Sequence, residues 1–285
     1  MTLAQALQQS AQILNVNGIE DSYIEARMLL GYITKLSPVE IYTQPEQTLS
    51  QGQERVLQAI VERRLRREPT AYIVNHRGFY GTNFYVDSRV LIPRPETELL
   101  VDTALDFAKN NCNSPSRPII IADIGTGCGA IAISLALNLP QSKVYATDIS
   151  PSALDIAKLN CEHHKATGQV TLLQGNLLAP IPEPIDLIVA NLPYIRSSEL
   201  ENLSPEIAKF EPRIAIDGGE SGLAQISQLL QQAEGKIKPQ GCLLLEIGQN
   251  QEKEVSYLIH RYLKEIRFEF IPDLNGIKRV VKISF

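Results

Sequence analysis

The stretch Asp186 to Glu199 reads DLIVANLPYIRSSE: apolar residues run as far as Ala190 and then give way to Asn191, Leu192, Pro193 and Tyr194. The loop after a buried strand ordinarily takes Gly, Ser or Asp. An amide, an imide ring and an aromatic make a different corner. The Asn191 side-chain oxygen and the Leu192 carbonyl are two acceptors that can converge on the two hydrogens of a planar NH2 group. Pro193 restricts Leu192 to an extended conformation, and Tyr194 offers a ring to stack on the plane of that group. An amide nitrogen is a poor nucleophile because its lone pair is delocalised, so chemistry on it needs orientation in a dry pocket more than a strong base. An apolar strand ending in an Asn-x-Pro turn has the same appearance, so the corner needs a second feature beside it.

That feature is IIIADIGTGCGAIAISLA, Ile119 to Ala136, which sets Gly125, Gly127 and Gly129 between an expected strand and an expected helix. Glycines there permit a tight turn and a close backbone approach to a ligand. Gly125-x-Gly127-x-x-Ala130 also fits a dinucleotide loop, and charge separates the two readings. Asp123 ends the strand two residues before Gly125, where a carboxylate repels a pyrophosphate and attracts an ammonium. Asp148 ends the next strand, in the position of a carboxylate that binds ribose hydroxyls, while Ser150-Pro151 caps the helix that follows. Acidic strand ends on both sides of a Gly-rich turn favour S-adenosyl-L-methionine over a nicotinamide cofactor. Asn176, in LLQGNLL after the third strand, is either a contact for an adenine edge or a simple turn residue.

Elements at regular spacing must position these groups. After Pro118, apolar runs at Ile119–Asp123, Val144–Asp148, Val170–Leu173, Ile185–Ala190 and Cys242–Ile247 are mostly separated by helix-length spans. This implies an α/β fold with a largely parallel sheet covered on both faces. The terminal IRFEFIPDLNGIKRVVKISF reads as two strands joined at Asp273–Gly276, a hairpin on the sheet edge. The first ~70 residues instead carry helix-start signals at Thr2/Gln5, Ser22/Glu25, Ser37/Glu40 and Ser50/Gln53. Leu3, Leu7 and Leu14, then Ile24, Leu29, Leu30 and Ile33, then Leu57, Ile60, Val61 and Leu65 follow helical spacing. The expected organisation is a helical domain over 1–70, a hairpin linker over 71–92 and a catalytic α/β domain over 93–285. The run ERRLRRE, Glu62 to Glu68, reads as a solvated helix end or as a docking patch for an RNA-bearing or acidic partner. In LIPRPETELL, Arg94, Glu96 and Glu98 are candidates to line the cofactor entrance.

The chain has 285 residues, 44% hydrophobic and 21% charged, and a net charge of −5. That composition suits a soluble globular protein, and the acidic balance argues against binding nucleic acid through the overall field. No apolar run approaches the roughly 18 residues of a membrane span, and the N-terminus reads as an amphipathic helix rather than a signal peptide. The expected compartment is the cytoplasm. Cys112, Cys128, Cys161 and Cys242 are far apart, and His76, His163, His164 and His260 show no ligand spacing, so neither a metal site nor a disulfide framework is expected.

The motifs FYG, VLIPRPETELLV, DIGTGCGAIAISLA, ANLPYI, EPRIAIDGG, LLLEIG and DLNGIKRVV span nearly the whole chain. With them the sequence resembles the protein-(glutamine-N5) methyltransferases that modify peptide chain release factors, the PrmC/HemK family. The resemblance implies a Rossmann-like seven-stranded S-adenosylmethionine-dependent methyltransferase domain and a small helical N-terminal domain that docks the release factor. The substrate would be the glutamine of the factor's Gly-Gly-Gln motif, in translation termination. Asn191, Leu192, Pro193 and Tyr194 would hold the glutamine amide. Asp123, Gly125, Thr126, Gly127, Cys128, Gly129, Asp148, Asn176, Leu177 and Asn191 would hold the cofactor. A monomer with no direct nucleic-acid substrate and no membrane association is expected. The family's tetrapeptide is Asn-Pro-Pro-Tyr, whereas this chain has Leu192 for the first proline; the Leu192 carbonyl survives the change. Two other readings stand beside it: an adenine-N6 methyltransferase on nucleic acid, since an exocyclic NH2 suits the same corner, and a non-catalytic cofactor-binding relative.

Overall fold

The computed structural model describes residues 1–111 and 117–285. The chain forms two compact units, Met1–His76 with Ser204–Phe210, and Arg77–Leu203 with Glu211–Phe285. Cys112 lies outside the described residues; Cys128, Cys161 and Cys242 are buried free thiols. No helix among the described residues is long and apolar enough to cross a membrane.

The first unit holds α1 (Leu3–Val16), α2 (Ser22–Thr34), α3 (Pro38–Thr43), α4 (Gln51–Leu65) and α5 (Thr70–Ile73). Capping boxes close on Thr2 with Gln5, Ser37 with Glu40, and Ser50 with Gln53. The one expected at Ser22 does not form: Asp21 is the N-cap, in the left-handed region with no side-chain cap bond. Glu25 is drawn elsewhere, its carboxylate accepting from Arg64 and from the Thr70 hydroxyl at 2.8 Å. Leu3, Leu7, Leu14, Leu29, Leu30, Leu57 and Ile60 form the core, while Ile24 of the same apolar row is exposed.

Much of the arginine run is spent in ion pairs, while Glu62 and Arg66 stay exposed. Arg64 is 5% exposed and bonds Glu25 and, at 2.9 Å, Glu206. Arg67 reaches Glu206 and the carbonyls of Asn17 and Gly18, and Arg63 pairs with Glu68. The carboxylates that neutralise Arg64 come from outside the run, one of them from the 204–210 segment. The expected linker also divides differently: Thr70–Ile73 is helical and belongs with the first unit, and the hairpin is confined to β1 (His76–Phe79) and β2 (Thr82–Tyr85).

The second unit is built on a seven-stranded sheet, in the order β5-β4-β3-β6-β7-β9-β8. In chain order its elements are a 3-10 turn at Pro95–Thr97 that runs into α6 (Glu98–Asn111), then β3 (Ile119–Ile124), α7 (Ala130–Asn138), β4 (Ser142–Asp148), α8 (Pro151–His163), β5 (Val170–Gln174) and β6 (Ile185–Ala190). There follow α9 (Pro205–Phe210), whose residues belong to the first unit, α10 (Ala224–Ala233), β7 (Ile237–Glu246), α11 (Glu252–Tyr262), β8 (Arg267–Pro272) and β9 (Lys278–Ser284). β3 and β6 are buried at every position, as strands covered on both faces must be. β7 begins at Ile237, earlier than its apolar run, because a register shift lets Ile237 pair Ile185 while Cys242 pairs Leu187. β8 and β9 form the antiparallel hairpin, with β9 against β7.

The sheet changes direction at β3, which pairs β4 on one side and β6 on the other. In open α/β sheets the crevice outside the carboxyl ends at such a switch is where ligands bind. The loops after β3, β4, β5 and β6 open there, and they carry the residues singled out by their chemistry.

Candidate active site

The loop after β3 is drawn onto β4. The amides of Gly125 and Thr126 both donate to the Thr147 carbonyl at 2.9 Å, and the Gly127 amide donates to Asp148 Oδ2, also at 2.9 Å. Gly125 has φ +72, and a Cβ there would lie 3.1 Å from Leu192 Cδ2; at Gly129, with φ +84, a Cβ would press on Ile133 and Ala157. Neither position accommodates a side chain without strain. Ser150 caps α8 through Oγ to the Ala153 amide, as its spacing indicates. Asp148 is therefore not spent on the cap, though its Oδ1 accepts the Ser150 amide at 2.9 Å. Burial raises its pKa, and the amides of Ser150 and Gly127 pull it back.

A cavity of about 340 Å³ lies over this loop, within the usual range for small-molecule sites. Of the residues expected at the site, Gly125, Gly127, Asp148, Asn176, Leu177, Asn191, Leu192 and Pro193 line it. Asn176 is at the exposed rim, whereas Leu177 is buried, its backbone in the left-handed region at φ 53 and its carbonyl taking the Thr147 hydroxyl at 3.0 Å. Asp123, Thr126, Cys128 and Gly129 stand outside the wall and shape the loop, and Tyr194, expected to stack on the substrate, is outside the wall as well, its hydroxyl on Glu246. Asp123 is fully buried; its Oδ2 accepts the Thr126 hydroxyl at 2.7 Å and the Ala132 amide at 3.1 Å. Its Oδ1 is buried with no partner. Desolvation pushes its pKa up to about 7, the neighbouring charge of Asp148 adding to the effect.

The acceptor corner has a definite orientation. Asn191 Nδ2 donates to Thr97 Oγ1 at 3.0 Å, so its Oδ1 is the side-chain atom left to accept. Among the described residues no donor meets the Leu192 carbonyl. Tyr194 donates its hydroxyl to Glu246 Oε1 at 3.3 Å, and its carbonyl takes Gln251 Nε2 at 3.0 Å. Gly248, in LLLEIG, leaves room for the ring: a Cβ there would come 3.1 Å from Tyr194 Cδ2. The EPRIAIDGG segment returns along the corner. Ile195 bridges Asp217, Ser197 Oγ donates to Asp217 Oδ1 at 2.6 Å, and the Gly218 amide donates to the Ile195 carbonyl at 2.8 Å.

Arg94, Glu96 and Glu98 do not line the cavity. Arg94 is turned to Glu211 of the EPRIAIDGG segment, and Glu98 accepts the Tyr80 amide at 2.9 Å; Leu91 at the start of that stretch and Arg89 just before it reach the wall instead. The sequence reading missed Thr97, which lies between the two glutamates it considered, Glu246, and the exposed Ile149, which adds an apolar face to the cavity. Glu246 carried a signal: a carboxylate closing the apolar run LLLEIG. Buried to 2% exposure, it has its pKa pushed up to about 6 by desolvation, opposed by the nearby hydroxyls of Thr97 and Tyr194 and by the charge of Arg279; its Oε2 is buried without a hydrogen-bond partner among the described residues.

Fold and cavity define a Rossmann-like methyltransferase. Residues 100–209 match the family model of the methyltransferase small domain, and residues 5–74 match that of the PrmC N-terminal domain. A methyltransferase from Pyrococcus furiosus shares the fold, with a TM-score of 0.51 at 18% identity, over 73% of this chain and 90% of that one. The release factor glutamine methyltransferases of Moorella thermoacetica and Koribacter versatilis are 38% and 36% identical to the present chain, over 98% and 99% of its length and 97% and 98% of theirs. The chain belongs to the release factor glutamine methyltransferase family.

Proposed function

We propose that this chain transfers a methyl group from S-adenosylmethionine to the side-chain amide nitrogen of the glutamine in the Gly-Gly-Gln motif of peptide chain release factors. The observation that carries the reading is the polarity of the corner. Thr97 occupies the Asn191 NH2 group, so Asn191 Oδ1 and the Leu192 carbonyl remain as two acceptors at the cavity wall, one for each hydrogen of an incoming carboxamide.

The site suits the cofactor. Asp148 stands in the wall and Asp123 behind the loop with its Oδ1 unpartnered; a cationic ligand would draw both toward the ionised form, and glycine backbone with Ile149 and Leu177 supplies a close apolar surface. Asp148 is assigned to the ribose hydroxyls and the Asn176–Leu177 turn to the adenine. When bound, S-adenosylmethionine supplies an electrophilic methyl group. The chain's own part is to hold the glutamine nitrogen: Asn191 and Leu192 fix its two hydrogens, Pro193 keeps Leu192 extended, and Tyr194, anchored at both its hydroxyl and its carbonyl, braces the corner from behind. Orientation of this kind contributes up to roughly 7–11 kcal/mol. No strong base is needed, since the departing proton leaves a nitrogen already acidified by methylation.

The test is mass spectrometry of a purified release factor incubated with the protein and S-adenosylmethionine. One methyl group is expected on the Gly-Gly-Gln glutamine, absent when that glutamine is alanine and when the enzyme carries Asn191→Ala. An unmodified factor despite measurable cofactor binding overturns the reading.

A further inference from the structure

Asn191 is useful to a carboxamide substrate in only one of its two orientations. With Oδ1 toward the substrate NH2 it accepts a hydrogen; flipped, it presents its own donors to a group that is itself a donor. Nothing in Asn191 decides between the two, because the amide is nearly symmetric in shape. The decision comes from its neighbours. Asn191 Nδ2 lies 3.0 Å from Thr97 Oγ1, and Thr97 is 4% exposed. The same hydroxyl faces the Glu246 carboxylate, itself 2% exposed, whose Oε2 is buried and has no partner of its own among the described residues. Register brings these groups together: Ala190 of β6 pairs Leu245 of β7, so Glu246 stands beside Asn191.

We propose that Thr97 and Glu246 are positioning residues: ionised Glu246 takes the single hydroxyl hydrogen of Thr97, the Thr97 oxygen must then accept from Asn191 Nδ2, and Asn191 Oδ1 is left to face the substrate amide. The inference deepens the function proposed above and rests on it. A hydroxyl has one hydrogen. While an ionised carboxylate holds it, Thr97 has none to offer Asn191, and the flipped amide would set its oxygen against an oxygen lone pair. The same carboxylate takes the Tyr194 hydroxyl, so it anchors both ends of the Asn191–Tyr194 corner.

Protonation of Glu246 would release the constraint, because a carboxylic acid can donate to Thr97 and free the hydroxyl hydrogen to turn toward Asn191. The groups that face Glu246 are Thr97 and Glu96 from the Pro95–Thr97 turn, Tyr194 after β6, and Arg279 of β9. Burial and the charge of Glu96 raise its pKa, to about 6, against the two nearby hydroxyls and Arg279. An acid limb in kcat is expected in that region.

The experiment compares the full-length wild type with Thr97→Val, Thr97→Ser and Glu246→Gln. Readouts are kcat and KM for a release factor across pH, calorimetric affinity for S-adenosylmethionine, and the side-chain NH2 signal of Asn191 by NMR in the protein alone. Thr97→Val should lower kcat roughly ten- to a hundredfold with little change in KM or cofactor affinity, and its Asn191 NH2 protons should exchange faster. Thr97→Ser should restore both properties, which a packing role for the methyl group would not. The acid limb should vanish in Glu246→Gln. Wild-type kcat and wild-type Asn191 exchange in folded Thr97→Val overturn the role of Thr97, and an acid limb that persists in Glu246→Gln overturns that of Glu246. A wild type that methylates no release factor sinks the proposed function instead, and the Asn191 exchange data then decide the positioning role separately.

Discussion

Asp123 shows how much one residue's setting can depart from its sequence context. Its place before the Gly-rich loop was legible, since a carboxylate two residues ahead of Gly125 is a local pattern. Its full burial was not, because that depends on α7 packing over the loop and on the Ala132 amide reaching back to Oδ2. The consequence is a pH-dependent cost. An unfolded aspartate loses its proton near the ordinary value of 3.8, whereas the folded one holds it to about 7. Between those values the native state binds more protons than the unfolded state, so stability falls as pH rises from about 4 to about 7 and levels off above. Asp123→Asn, which keeps an acceptor for Thr126 and Ala132, should flatten that fall. Denaturant unfolding of both proteins across this window checks it; the contribution of Glu246 has the same sign and cancels in the difference. Identical slopes would mean that Asp123 titrates in the native state as it does unfolded. Leu192 is the other instructive residue. It stands where the family has proline, and its side chain is buried against Gly125, so what the corner lacks in ring rigidity it gains in packing.

The return segment from Glu211 to Gly222 is the element that holds the acceptor corner. Its motif was recognisable as a string, but what it does depends on contacts across the chain. Gly222 has φ +74, and a Cβ there would lie 2.6 Å from the Tyr194 carbonyl. Backbone cannot yield as a flexible side chain can. Gly222→Ala should therefore cost about 2 kcal/mol or more in stability and should lower kcat more than cofactor affinity, since the carbonyl it displaces belongs to the corner and Gly222 does not line the cavity. Unfolding curves with steady-state kinetics and calorimetry separate the two effects; unchanged kcat would show that the corner is held by β6 alone. The helix starts give the opposite lesson. Three of the four capping boxes form as read because both partners lie within one turn, and the fourth fails because Arg64, far along the chain, takes the Glu25 carboxylate.

At the scale of the whole molecule the chain leaves its α/β unit after Leu203, contributes Ser204–Phe210 to the helical unit and resumes at Glu211. Arg64 secures that excursion by pairing Glu25 and Glu206 at 5% exposure. Arg64→Leu would leave Glu25 with the Thr70 hydroxyl and Glu206 with the more exposed Arg67, and a loss of about 3 kcal/mol from the helical unit is expected. Hydrogen exchange should quicken in α2 and at 205–210 while β3 and β6 keep their protection; uniform protection throughout would argue against this role. Local order by itself determined the helical and strand periods, the caps at Ser50 and Ser150, the Gly-rich turn and the corner at Asn191, because the forces that set them act within one helical turn or along one strand. The tertiary structure alone decided which way Asn191 points, what neutralises Arg64 and which oxygen of Asp123 is spent. Asn191 and Thr97 are 94 residues apart and Arg64 and Glu206 are 142 apart, and at such separations a hydrogen bond exists only once packing has brought donor and acceptor into one dry place.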